Sequence, residues 1–225
     1  MDKTAIRDAA TLILLRDAAT RPAVLMGQRG AGAAFMPGKF VFPGGAVDAN
    51  DATVPISPPS DLDCARLAEE SAHAPATLAA AAIRELWEET GLILGRPGDW
   101  TDPPQGWRGF AATGHVPDGA ALQYFFRAVT PPGRPRRFDA RFFLANAEAL
   151  ASDADDFSRA EDELAFLQWV PLDQARRFDL PFITQVVLAE LLVHLEKGGP
   201  VASVPFFRND DEAHLVTRLG GRSLL

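Results

Sequence analysis

Residues 78 to 90 are rich in Ala, Leu and Glu and run into Gly91, the pattern of a helix closed by a glycine cap. Within it Glu85, Glu88 and Glu89 are spaced i, i+3, i+4 and share one narrow face, while Ala79, Ala82, Ile83, Leu86 and Trp87 cover much of the rest. Such a helix buries one side and projects three carboxylates together from the other. Like charges at these spacings cost roughly 0.2–0.5 kcal/mol per pair, and acids near the C-terminal end also oppose the helix dipole. Arg84, four residues before Glu88, supplies one counter-charge; a bound divalent cation would neutralise the cluster more fully. Oxygen donors with no His or Cys beside them suit Mg²⁺ or Mn²⁺.

Around this helix the chain mixes strands and helices without strict alternation, which predicts an α/β protein with a mixed sheet and argues against a doubly wound parallel one. Apolar runs predict strands at Thr11–Leu15, Val24–Met26, Phe40–Phe42, Leu92–Leu94, Leu122–Val129, Arg141–Ala145 and Leu167–Val170. A second strong helix is expected over Phe182–Lys197, stopped by Gly198-Gly199-Pro200, with a short aromatic tail after it. Asp61–Ser71 reads as a weaker helix opened by an Asp cap, and 95–119, rich in Gly, Pro and Trp, as a surface connection.

With 225 residues and 47% apolar composition, the chain can build a globular core and is neither disordered nor collagen-like. Its net charge of −8, with no long basic run, makes nucleic acid an unfavoured primary partner. The single Cys64 excludes an intrachain disulfide and a cysteine-rich metal site. No stretch approaches 18 apolar residues, and the first apolar run is too short for a signal-peptide core, so a cytoplasmic location away from membranes is expected.

The segment Arg84-Glu85-Leu86-Trp87-Glu88-Glu89-Thr90-Gly91-Leu92 matches every specified position in the back half of the Nudix hydrolase signature, and Pro43-Gly44-Gly45 resembles its front. The family pattern runs Gly, five residues, Glu, seven residues, Arg. Counted from Gly45, the acidic position falls on Asp51, a shorter carboxylate, and 32 residues separate it from Arg84. The resemblance therefore requires an insertion, at about 52–76, inside the signature. It covers about residues 6 to 197 and implies an α/β/α sandwich. The whole chain is then expected to be one domain, with a C-terminal helix and tail at about 182–225. It implies that Glu85, Glu88, Glu89 and the Gly44 carbonyl hold the metal, with a late acid, Glu163 or else Glu161, as a further ligand. Arg84, Glu85, Glu88, Glu89 and Glu163 form the expected catalytic set, the general base being Glu85, Glu89 or Glu163.

The reaction implied is attack of water on a phosphorus of a nucleoside diphosphate linked to another group. The stretch 130–143 places four arginines and three phenylalanines near one strand entrance, where arginine can grip phosphate and phenylalanine can stack on a base. Arg137, Arg141 and Phe143, with Arg29 and Phe42, are the expected substrate contacts. This stretch and the insertion resemble a Nudix branch that includes coenzyme A diphosphatases, and Gly38–Gly45 fits the end of its glycine-loop motif. CoA or acyl-CoA is thus the leading substrate, with ADP-ribose, NADH and dinucleoside polyphosphates as alternatives. A nucleotide-sensing module without catalysis is the rival reading, which loss of the carboxylates would favour; all three are present. Gly30-Ala31-Gly32 resembles the start of a dinucleotide fingerprint, but it lacks the third glycine and Pro37-Gly38 prevents the helix that must follow. The insertion and the C-terminal helix are candidate contacts for a homodimer.

Overall fold

The computed structural model describes residues 5–33, 36–208 and 216–219, apart from the side chains at 216 and 218. Eleven strands are found among these residues: β1 (Ile6–Arg16), β2 (Ala23–Arg29), β3 (Phe40–Val41), β4 (Gly44–Ala46), β5 (Gly95–Pro97), β6 (His115–Pro117), β7 (Gln123–Val129), β8 (Arg137–Asn146), β9 (Leu164–Pro171), β10 (Val204–Phe207) and β11 (Val216–Leu219). The helices are α1 (Asp61–Ala68), α2 (Pro75–Thr90), α3 (Arg108–Ala111) and α4 (Phe182–Lys197). The main sheet is mixed, in the order β11-β10-β7-β8-β1-β2-β3, with β4 also on β1 and β9 on β2. Its centre is the parallel pairing of β1 with β8, in register from Ile6 opposite Arg137 to Leu15 opposite Asn146.

Along its other edge β1 changes partner. It meets β2 at Leu15 and Arg16, and β4 at Ala9, Ala10 and Thr11. The chain thereby brings Gly44 and Gly45 back onto the first strand, where α2 packs. Helix α2 starts with Pro75, whose missing N–H costs nothing in a first turn, and continues through a fully buried run from Leu78 to Ile83. Gly91 ends it in the left-handed region at φ 74°, its N–H bonded to the Trp87 carbonyl. A Cβ there would lie 2.7 Å from that of Arg159, so space as well as conformation selects glycine.

Several expectations need correction. Leu92–Leu94 is not a strand but buried irregular chain, with the Ile93 N–H bonded to Ser152 Oγ. A short apolar run does not distinguish the two. The stretch 95–119 is not a surface connection: it forms the β5–β6 ribbon and α3, and it buries Trp107 and Phe110 completely. Helix α1 is capped by Ser60, whose hydroxyl accepts from the Asp63 N–H, and ends at Ala68. The tail supplies β10, parallel to β7. Helix α2 begins three residues before the predicted start, inside the segment assigned to the insertion.

The segment carrying α1 is fastened to the rest by two buried arginines. Arg66 donates to the carbonyls of Val201 and Ala202, at 2.9 and 2.7 Å. Arg127 donates to those of Glu69 and Glu70, pairs with Asp139 at 2.7 Å and lies over the Phe206 ring. Among the described residues, no helix is long and apolar enough to cross a membrane.

Candidate active site

Arg84 is the hub of the acidic face. It donates through Nε and Nη2 to both oxygens of Asp51, at 2.9 and 3.1 Å, and through Nη1 to Glu85 and Glu88, at 2.8 and 2.7 Å. Its Nη2 also reaches the Ala46 carbonyl at 2.8 Å, tying the helix to the glycine loop. Asp51 is buried and accepts further bonds from Trp107 Nε1 and the Asp48 N–H. Burial alone would disfavour the charge on Arg84, but the bond to Asp51 and the field of Glu85 outweigh it and hold the guanidinium firmly protonated.

The two glycines let the loop approach the carboxylates. The Gly44 N–H donates to Glu89 Oε2 at 2.7 Å, while a Cβ on Gly45 would fall 2.5 Å from the Glu85 carboxylate oxygens. Burial drives the Glu85 carboxyl up to about 7 against the opposing pull of Arg84, with Glu88 and Glu163 adding to the rise. Glu88 is raised for the same first reason. Glu89, only 2% exposed, is raised well above the carboxylate range by burial and then by Glu85. Its Oε1 is buried without a hydrogen-bond partner.

Glu163 stands in the turn just before β9 with a half-exposed side chain and is bonded to Arg29 at 2.6 Å. Glu161 is held by its backbone, donating its N–H to the Glu88 carbonyl at 2.9 Å. Glu85, Gly44, Gly45, Arg29, Phe42 and Glu163 all line one cavity of about 1050 Å³. Glu88 and Glu89, on the same helix, are not among its lining residues.

The structure does not bring Arg137, Arg141 and Phe143 to the cavity. Side chains alternate across β8, and Phe138, Ala140 and Phe142 are the ones that face it. Arg137 donates to the Thr130 carbonyl, Arg141 is buried against Asp8 and Asp139, and Phe143 packs on Tyr124. Two residues central to the site carried little signal in the sequence. Trp107 lies in the Gly- and Pro-rich stretch that reads as a surface connection, and the partner of Asp51 is 33 positions away.

As arranged, both Glu85 and Glu88 turn onto Arg84 Nη1, and among the described residues no three acidic, His or Cys groups converge as a metal-binding set. The donor chemistry nevertheless fits a hard divalent cation. The unpartnered Glu89 oxygen, the upward pressure on three neighbouring carboxyls and the glycine cradle all mark negative charge short of compensation.

The family model described as the NUDIX domain matches residues 72–191. The chain is 28% identical over 176 residues to the Caenorhabditis elegans protein named "Putative nudix hydrolase 7", covering 73% of this chain and 51% of that protein. It is also similar to the crystal structure of a NUDIX hydrolase from Alicyclobacillus acidocaldarius, with 29% identity, a TM-score of 0.64 and coverage of 85% of this chain and 93% of the other. The structure of a C. elegans Ap4A hydrolase binary complex shares the fold at 15% identity and a TM-score of 0.50, over 86% of this chain and all of that one.

A mixed-sheet α/β fold with an acidic helix folded against a glycine loop is the architecture of a Nudix protein. The chain belongs to the Nudix family. It spans about half the length of the curated relative it matches. Nudix hydrolases as a group use divalent metal ions.

Proposed function

We propose that this chain is a divalent-metal-dependent pyrophosphohydrolase that splits the phosphoanhydride of a nucleoside diphosphate joined to another moiety. CoA or acyl-CoA is the leading substrate and Mg²⁺ or Mn²⁺ the ion. The observation that carries the reading is the convergence of Glu85, Glu163 and the Gly44-Gly45 loop at one end of a cavity large enough for a nucleotide derivative. Glu85, Glu88, Glu89, Glu163 and the Gly44 carbonyl would hold the ion, which when bound supplies charge neutralisation at the phosphate oxygens and a more acidic water.

The chain's own residues do the rest. Arg84 fixes Glu85 and Glu88 from behind, with Asp51 and Trp107 locking its guanidinium. The Gly44 N–H holds one oxygen of Glu89 and leaves the other unengaged. Of the three candidates for general base, Glu85 and Glu163 line the cavity, which favours them over Glu89. Arg29, paired to Glu163, places a positive charge in the same cavity wall. We read residues 52–76 as an insertion and 182–225 as an appended helix and tail of one domain, working in the cytoplasm, with a homodimer contact on either addition.

Product chromatography over CoA, acyl-CoA, ADP-ribose, NADH and diadenosine polyphosphates, with Mg²⁺ and with Mn²⁺, tests the reading. Cleavage at the diphosphate, lost about a hundredfold or more in Glu89→Gln, is expected. No cleavage with either ion, or full turnover in that variant, overturns it.

A further inference from the structure

The cavity has two ends of opposite chemistry. Along β1 its lining residues are Arg7, Ala9 and Thr11, with Thr11 opposite Gly44 and Arg7 opposite Phe138. Four residues of strand, ~13 Å, therefore separate the level of the glycine loop from Arg7. At that far end Arg134 and Arg136, from the loop between β7 and β8, line the same cavity. Between the two ends the wall is apolar, with Phe138, Ala140 and Phe142 in a row along β8.

The three arginines differ from the other cations of the cavity. Arg29 is paired with Glu163 and Lys39 with Asp179. Among the described residues, Arg7, Arg134 and Arg136 make no ion pair. The nearby acids are engaged elsewhere, because strand alternation sends Asp8 and Asp139 to the opposite face, where Arg141 and Arg127 hold them. Arg137 anchors the loop by donating to the Thr130 carbonyl. On a chain of net charge −8, a trio of uncompensated guanidinium groups in a cavity wall is an anion-binding arrangement suited to phosphate.

We propose that Arg7, Arg134 and Arg136 form a second anion subsite that selects substrates carrying a phosphomonoester remote from the diphosphate to be cleaved. This rests on the pyrophosphohydrolase reading for what occupies the acidic end, and it adds a requirement at the other. A phosphorylated nucleoside diphosphate derivative would span the apolar wall with one charged group at each end.

Substrate pairs that differ only in that phosphate test the subsite: CoA against 3′-dephospho-CoA, and NADPH against NADH. Both kcat/KM with the metal and binding by calorimetry in chelator are measured. The phosphorylated member of at least one pair is expected to be preferred about tenfold or more in both readouts, with the ratio collapsing toward one in the triple variant Arg7→Ala, Arg134→Ala, Arg136→Ala. A triple variant at Arg21, Arg108 and Arg176, equal in charge but away from the cavity, controls for overall charge and keeps the ratio. Equal treatment of both members in both pairs, or a preference that survives the cavity variant, overturns the subsite while leaving the hydrolase reading standing. A binding preference without cleavage sinks the hydrolase reading and keeps the subsite. Absence of both removes both.

Discussion

Asp51 and Arg84 lie 33 positions apart in sequence and form a two-pronged buried ion pair, at 2.9 and 3.1 Å, beneath the acidic face of α2. Removing one member of such a pair strands the other in a low-dielectric site, at a cost of about 3–5 kcal/mol. Arg84→Ala is therefore expected to lower unfolding free energy by that order, and Asp51→Ala in the same background to recover part of it. Urea unfolding of both singles and the double measures this, and strictly additive losses would contradict the pairing.

The two loop glycines should fail in different ways. A Cβ on Gly44 would meet the Ala10 carbonyl oxygen at 2.7 Å, within the sheet itself, so Gly44→Ala is expected to destabilise by about 1–3 kcal/mol. On Gly45 the clash is with the Glu85 carboxylate, a side-chain end that can move. Gly45→Ala is expected to retain most of its Tm and to lose turnover by about tenfold or more. Calorimetry beside a rate assay separates them, and the reverse pattern would disprove the assignment.

Metal-free protein should grow less stable as pH rises through neutrality. The Glu85 carboxyl is raised from 4.5 to about 7 and Glu89 is raised too, so the folded state binds protons that the unfolded state has released. The contribution of Glu85 is full below about 4.5 and is lost as pH climbs through about 7. Thermal melts in chelator from pH 5 to 8 are expected to show this fall, flattened in Glu85→Gln, and added Mg²⁺ or Mn²⁺ to restore more stability at pH 8 than at pH 5. A variant with an unchanged slope would show that Glu85 is not the group responsible.

Glu163 offers the opposite case. Its side chain is 58% exposed and its pair with Arg29 is open to solvent, so Glu163→Gln should change stability by no more than about 0.5 kcal/mol. If it serves the chemistry, turnover drops all the same. A large loss of Tm with normal turnover would reassign it to a structural role.

What the sequence revealed was local. The acidic face of α2 followed from spacing on one helix, and its end from Gly91, because both are set within a few residues. The pairing of Asp51 was hidden, since its partner arrives only through tertiary folding. The apolar run predicts the strand at 141–145 but not its facing: residue type points to Arg141 and Phe143, whereas alternation places their neighbours in the cavity. Arg7 lay outside the arginine-rich stretch and joins it only through the parallel register of β1 with β8. Trp107 was obscured because a Gly- and Pro-rich segment resembles solvent-exposed chain even where it is packed.

The excursion between Asp51 and Arg84 also bears on how such proteins diverge. Loop-closure entropy grows only with the logarithm of length, so lengthening the connection from the family's seven residues to 32 adds roughly 1 kcal/mol. Two buried arginines fasten this segment and offset that entropy: Arg66 donates to carbonyls of the tail, and Arg127 donates to the carbonyls of Glu69 and Glu70 just after α1. A signature held together in space in this way tolerates changes of length as long as its two ends still meet. Relatives with excursions of other sizes are then expected to keep the Asp51–Arg84 contact while rebuilding everything between.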